Sequence, residues 1–334
     1  MSATTLHTDD NQTTIIECET RTLSQKTTPA TRRKRRWRAS SILVVDDELV
    51  ICQLLETFFS NKGYEIRTAL NGADALVRIT EKTPDIVISD IRMPVMDGIE
   101  LFKNIKEHYP QIKLVLMTGY NVDEYLSLIR QHNIGNILVK GPDFSLKEVD
   151  GYIRSILSGD IFGLERYLPH SKIHRVVIDK YERSAEVCSL ISKQCYNYDD
   201  MFLTMAIDEL ISNAVFHGVL QLTGKTRESW HKDTTIDSED AIKVTWASDA
   251  EKVGVSVEDP RGNLKKVDAL RWLDQSETSG REYEEHGRGL YLVRRLIDRF
   301  IINIDPGKRT ECIVLQYFNR EHIHQYKPLQ IHEL

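Results

Sequence analysis

The sequence predicts an α/β chain of two unlike halves, a doubly wound parallel domain followed by an α+β sandwich. Three observations carry this. The runs "ILVVD", "DIVISD", "KLVLMTG" and "NILVK" are apolar without alternation, as strands buried on both faces of a parallel sheet are. They alternate with segments of helical period up to Ser158. Beyond that point helices and antiparallel strands segregate instead of alternating.

Taken in order, residues 1–40 lack periodicity and are rich in Thr, Asp and Gln, which predicts a disordered arm. The arm ends in the basic run "RRKRRWR", Arg32 to Arg38. Such a run suits a solvated, extended arm, or one that touches phosphate or anionic lipid with Trp37 inserted or stacked. Residues 41–158 read as the doubly wound domain, with "EIRTA" as a further strand; ligands of such sheets sit beyond the carboxyl ends of the strands. Residues 159–172 form a short linker, "GDIFGLERYLP". In 173–320, "HRVVID" reads as a strand, then "ERSAEVCSLISKQC" and "DDMFLTMAIDELISNAVFHG" as two helices. "AIKVTWAS" and "KVGVSVED" follow as a hairpin, then a Gly- and charge-rich stretch, the helix "GLYLVRRLIDRF", and a strand pair around "IINID" and "ECIVLQYF". Residues 321–334 are expected to be a tail.

Composition narrows the class. With 41% hydrophobic and 28% charged residues among 334, the chain reads as a soluble globular protein, and a net charge of −6 makes no case for a nucleic-acid or membrane partner. Five cysteines without paired short spacing argue for a reducing compartment and against a disulfide framework or zinc site. No apolar run approaches the roughly 18 residues of a membrane span, and the polar N-terminus is no signal peptide. The cytoplasm is the expected location.

Acidic residues gather at the strand ends of the first half. Asp46 and Asp47 follow the first strand, Asp90 closes the third, Thr118 the fourth and Lys140 the fifth. Carboxylates converging there need a neutralising cation, and hard oxygen ligands suit Mg²⁺. A lysine and a hydroxyl beside them suit an incoming phosphoryl group. With "DIRMPVMDG", Asp90 to Gly98, these residues closely resemble the flavodoxin-like (βα)5 receiver domain of two-component response regulators. The resemblance implies that Asp90 accepts a phosphoryl group, that Asp46, Asp47, Asp90 and the carbonyl of Arg92 hold Mg²⁺, that Thr118 is the switch hydroxyl, and that Lys140 pairs with the phosphoryl group. Two positions depart from the pattern: Pro142 stands one residue late, and Ile137 stands where the switch aromatic belongs.

In the second half, Glu209, Asn213 and His217 form an i, i+4, i+8 stripe along the edge of an apolar helical arc. Asp259 ends a strand with Gly262 three residues on, and Gly287 and Gly289 open a helix, where bare backbone N–H groups can approach a phosphate. This block resembles the ATP site of the GHKL superfamily. "DELISNAVFHG" and "HGRGLYLVRRLID" look most like the anti-sigma factor serine kinases. That implies Asn213 on Mg²⁺, Glu209 as general base, Asp259 on the adenine amino group, Gly287, Arg288 and Gly289 lining the phosphate lid, and Thr310 near the adenine. Arg261 replaces the first glycine of the usual D-x-G-x-G box, and Arg309 precedes Thr310 where a glycine is usual.

A sensor histidine kinase would need a two-helix dimerisation element bearing a histidine, and His170 and His174 sit on no suitable helix. No helix-turn-helix is evident, so sequence-specific DNA binding is not expected. The resemblances together imply a response regulator with an ATP- and Mg²⁺-dependent serine/threonine kinase output. Its expected partners are an upstream histidine kinase or phosphotransfer protein, an anti-sigma factor antagonist as substrate, a sigma factor, and a second copy in a homodimer. The alternative is a non-catalytic module, gated by phosphorylation, that sequesters a partner.

Overall fold

The computed structural model describes residues 40–141, 145–195, 200–222, 235–274, 288–319 and 326–334. The readings of the basic arm, Trp37, Pro142 and Gly287 lie outside the described residues, as does the side chain of Arg288.

Apolar strands of the first half form as their composition dictates. β1 (Ser41–Val45), β3 (Ile86–Asp90) and β4 (Lys113–Thr118) are buried almost throughout, whereas β2 (Glu65–Ala69) is mostly half-buried and lies at the sheet edge. With β5 (Asn136–Val139) they pair in parallel in the order β2-β1-β3-β4-β5. Between them run α1 (Leu49–Asn61), α2 (Gly72–Glu81), α3 (Gly98–His108) and α4 (Leu126–Gln131), and α5 (Leu146–Ser158) follows. Asn71 and Asp97 cap α2 and α3 by accepting backbone N–H bonds at 2.9 and 2.8 Å.

The second half sets an antiparallel sheet under helices. β6 (His174–Ile178), β7 (Ile242–Ser248) and β8 (Lys252–Asp259) are joined by β9 (Arg299–Asp305) and β10 (Arg309–Tyr317) in the order β9-β10-β8-β7-β6. α6 (Ser184–Gln194), α7 (Met201–Ser212), α8 (Lys266–Leu273) and α9 (Arg288–Leu296) complete it. The long helix expected through Gly218 divides at Ser212. Residues Asn213–Val219 continue as a π-helical segment, so the even 100° spacing of the helical wheel ends within the polar stripe, between Glu209 and Asn213.

One expectation gives way. Residues 329–333 are not a tail but β11 (Leu329–Glu333), antiparallel to β5 through Leu329↔Ile137 and parallel to β9 through four residue pairs. Both halves therefore share one 11-stranded sheet, and one apolar core runs from the receiver-like strands through α8, α9 and Ile331. The linker is packed against the second half. The buried Glu311 carboxylate accepts the Gly163 N–H at 2.9 Å, Asn303 Nδ2 donates to the Ile161 carbonyl at 2.9 Å, and Leu164 and Leu168 pack against Ile301, Ile313 and Leu315.

Ile331 is 1% exposed at the junction. Ile331→Ala is expected to lower the unfolding free energy by about 2–5 kcal/mol, read as a drop in the urea midpoint of the full chain.

Candidate functional site

The carboxyl ends of the parallel strands bring the first set together. Asp90 is 5% exposed, and burial pushes its carboxyl above the ordinary range despite the pull of Lys140. Lys140 Nζ pairs with Asp90 and, at 2.9 Å, with Asp46. Burial alone would lower the Lys140 ammonium, but its bonds to the two carboxylates outweigh that and hold it above the usual lysine range. Thr118 is fully buried, its hydroxyl oxygen accepting the Tyr120 N–H at 3.0 Å. The Arg92 N–H donates to Asp90 Oδ2 at 2.7 Å.

Asp47 stands exposed at the rim, and among the described residues no three metal-ligating side chains converge as a ready cage. The donor set still fits Mg²⁺, which binds through one or two carboxylates and keeps several waters. Asp46, Asp90 and the Arg92 carbonyl would hold it, with Asp47 at the edge. The Arg92 side chain was not legible from sequence as part of this pocket. Its guanidinium lies 4.0 Å from the Tyr120 ring centre, donates to the Tyr125 hydroxyl, and reaches Glu124 at 3.4 Å. Only the fold makes these neighbours.

The second set is assembled by α7, the π-helical segment and α9. Glu209 is 8% exposed on α7, one turn before Asn213. Both face Gly289 in the first turn of α9: a Cβ there would fall 1.8 Å from Glu209 Oε1 and 3.0 Å from Asn213 Nδ2. Only glycine lets the helix start approach this closely. At the other end of the π-helical segment, a Cβ on Gly218 would lie 3.0 Å from the Asp259 carboxyl carbon. One wall thus carries Glu209 and Asn213 at one end and reaches Asp259 at the other.

Asp259 closes β8, and its Oδ1 accepts the N–H groups of Arg261 and Gly262, each at 3.0 Å. Burial raises its carboxyl pKa against those bonds. Thr310 stands directly opposite across the strand pair, close enough to help hold the charge, although its Oγ1 makes no hydrogen bond of ordinary geometry among the described residues. Asn213 Nδ2 is likewise buried without a hydrogen-bond partner among them. Two such atoms beside a glycine cradle fit a polar ligand such as a nucleotide. Arg261 ends on Asp240 in a two-point ion pair at 2.5 Å, so its side chain is committed there rather than to Asp259.

Comparison with known proteins agrees with this division. A response regulator receiver domain model matches residues 42–149, and a histidine kinase-like ATPase domain model matches residues 193–316. The chain is 33% identical over 117 residues to sporulation initiation phosphotransferase F of Bacillus subtilis (strain 168), covering 35% of this chain and 92% of that protein. It is 40% identical over 104 residues to transcriptional regulatory protein ZraR of Klebsiella oxytoca, covering 31% of this chain and 23% of ZraR. With the DNA-binding transcriptional regulator NtrC of Escherichia coli (strain K12) it shares 40% over 91 residues, 27% of this chain and 19% of that one. The chain thus matches about a fifth of the length of these two regulators. Among solved structures, response regulator TrrA of Thermotoga maritima, in complex with Mg(2+)-BeF, is 35% identical over 35% of this chain and 98% of its own, with a TM-score of 0.32.

Lys140→Met would leave two buried carboxylates facing each other without a counter-charge. Removing one partner from such a buried pair typically costs about 3–5 kcal/mol. Chemical denaturation in Mg²⁺-free buffer should show that loss, and adding Asp90→Asn should recover most of it.

Proposed function

Since the chain belongs to the response regulator receiver family through residues 42–149 and carries a histidine kinase-like ATPase domain over residues 193–316, we propose that it is a phosphorylation-controlled regulator whose output is a serine/threonine protein kinase. The observation that carries this reading is the placement of a carboxylate, Glu209, and an amide, Asn213, against the bare backbone of Gly289. A nucleotide-binding fold that only transferred phosphate to histidine would not need a base at Glu209.

Control begins at Asp90. Its carboxylate oxygen attacks the phosphorus of an upstream phosphohistidine; the new O–P bond forms as the P–N bond breaks, and the donor nitrogen is left to take up a proton. Lys140 stays beside the transferred group and offsets its charge, and Thr118 supplies a hydroxyl. Mg²⁺, held by Asp46, Asp90, the Arg92 carbonyl and Asp47, adds further charge neutralisation when bound.

In the ATPase domain, Asp259 binds the adenine amino group, with Thr310 beside it. Asn213 holds the Mg²⁺ that accompanies the nucleotide, and Gly289, with Gly287 and Arg288, lies along the phosphates. When bound, ATP supplies the γ-phosphoryl group. Glu209 takes the proton of the incoming serine or threonine hydroxyl, the hydroxyl oxygen bonds to the γ-phosphorus, and the bridging bond to the β-phosphate breaks. The substrate is a small anti-sigma factor antagonist, with a sigma factor as the competing partner and a homodimer as the working assembly. No helix among the described residues is long and apolar enough to cross a membrane; the cytoplasm is the compartment this reading assigns.

Partner sequestration without catalysis is the second reading, prompted by Arg261 in the glycine box. The commitment of that side chain to Asp240 weakens it. The two readings part at Glu209→Ala in the full chain. Labelled-ATP titration should give binding within a few-fold of the native protein, while transfer to the antagonist falls by about 10²-fold or more. Unchanged transfer would remove Glu209 from the base role.

A further inference from the structure

The usual switch aromatic is absent, since Ile137 is fully buried and paired with Leu329 of β11. Another path leads from Asp90 to the second site, and every link is a named contact. Arg92 is bonded to Asp90 through its N–H and, through its guanidinium, to the segment between β4 and α4, where it meets Tyr120, Glu124 and Tyr125. That segment starts at Thr118. It carries Asp123, whose carboxylate pairs with Arg294 of α9 and lies 3.9 Å from Arg295.

Arg294 is only 4% exposed, and it also donates to the Lys327 carbonyl at 3.1 Å. Lys327 in turn donates to the carbonyls of Arg294, Arg295 and Ile297, which fixes the far end of α9. Gly289 is in the first turn of the same helix, against Glu209 and Asn213. A nine-residue helix moves as a unit, so a shift imposed at Arg294 arrives at Gly289.

We propose that Asp123 is a positioning residue for the ATP site: it sets α9, and with it Gly289, according to the phosphorylation state of Asp90. This deepens the kinase reading above and rests on it for the identity of the ligand. The driving force is local. A phosphoryl group on Asp90 places new negative charge beside Arg92, and the guanidinium that braces Tyr120, Tyr125 and Glu124 is drawn to it. The segment carrying Asp123 loses its brace, and the half-buried ion pair of Asp123 with Arg294 transmits the movement. Among the described residues the other ion pairs across the junction, Glu148 with Arg299 and Lys252 and Arg130 with Asp274, lie outside this path and leave α9 untouched.

The test uses the full chain with beryllofluoride as the phosphoryl mimic and a fluorescent ATP analogue with Mg²⁺ as the nucleotide. In the native protein beryllofluoride should change nucleotide affinity by about 5–150-fold, the range of ordinary coupling between sites. In Asp123→Asn that change should shrink below about twofold on the same scale, with beryllofluoride still bound at Asp90, and Asp123→Glu should restore part of it. Asp123→Asn with Arg294→Met removes both charges and guards against simple misfolding; it too should lose the response. Full response in either Asn variant overturns the proposal.

Hydrogen exchange of the amides of residues 288–296 separates this from the ATP reading. Beryllofluoride should alter their protection in the native chain and not in Asp123→Asn, whether or not nucleotide binds. No change in the native chain, or equal change in both, overturns the role of Asp123. Absent nucleotide binding with the exchange result intact overturns only the ATP reading.

Discussion

Everything in this molecule depends on the two sets of backbone hydrogen bonds made by β11. A sheet edge presents unpaired N–H and C=O groups that must find partners. β5 ends the parallel sheet and β9 ends the antiparallel one, and β11 satisfies both, running antiparallel to the first and parallel to the second. The Ile331 N–H also donates to the Gly135 carbonyl at 2.7 Å, and a Cβ at Gly135 would fall 2.3 Å from the Ile331 carbonyl oxygen. The relative placement of two domains, elsewhere left to a linker, is here a matter of strand register. A slip of one residue would turn Leu329 and Ile331 out of the core.

Charge reinforces that register, mostly with one polarity. The receiver side presents Asp123 and Glu148; the ATPase side answers with Arg294, Arg295, Arg299 and Lys252. Arg130 with Asp274 is the reversed pair. Arg294 and Arg299 are more than nine-tenths buried while their partners Asp123 and Glu148 are 34% and 39% exposed, so the pairs are partly screened by salt. Removing a carboxylate still leaves a buried guanidinium short of its counter-charge. Such pairs contribute less to net stability than to fixing one arrangement of the junction, since apolar side chains could fill the same space at equal or lower free energy.

The receiver strands β1, β3, β4 and β5 and the residues at their ends were legible because each is a short apolar run leading to a polar functional group. β1, β3 and β4 are buried along nearly their whole length, which leaves little room for another assignment. "LQIHE" was not legible as β11. Gln330 and His332 are buried at 1% and 7%, so two of its inner positions carry the polar residues of a surface tail. Gln330 is held by Arg299 at 3.1 Å and His332 lies against the Tyr152 ring, partners supplied by tertiary structure alone. The π-helical segment was hidden for a related reason: a wheel assumes constant rotation per residue. The Arg92 cluster was hidden because its members are spread between Arg92 and Tyr125 and meet only through the fold.

The position of β11 in the chain also sets an order of assembly. Ribosomal synthesis delivers β5 and β9 before the strand that joins them, so the receiver can fold while its β5 edge is still open. Until β11 arrives, that edge is a template for any extended segment nearby, including β11 of another copy. An intermolecular exchange of this one strand would satisfy the same hydrogen bonds and cross-link two chains, a route to domain-swapped dimers that leaves both chemical sites intact.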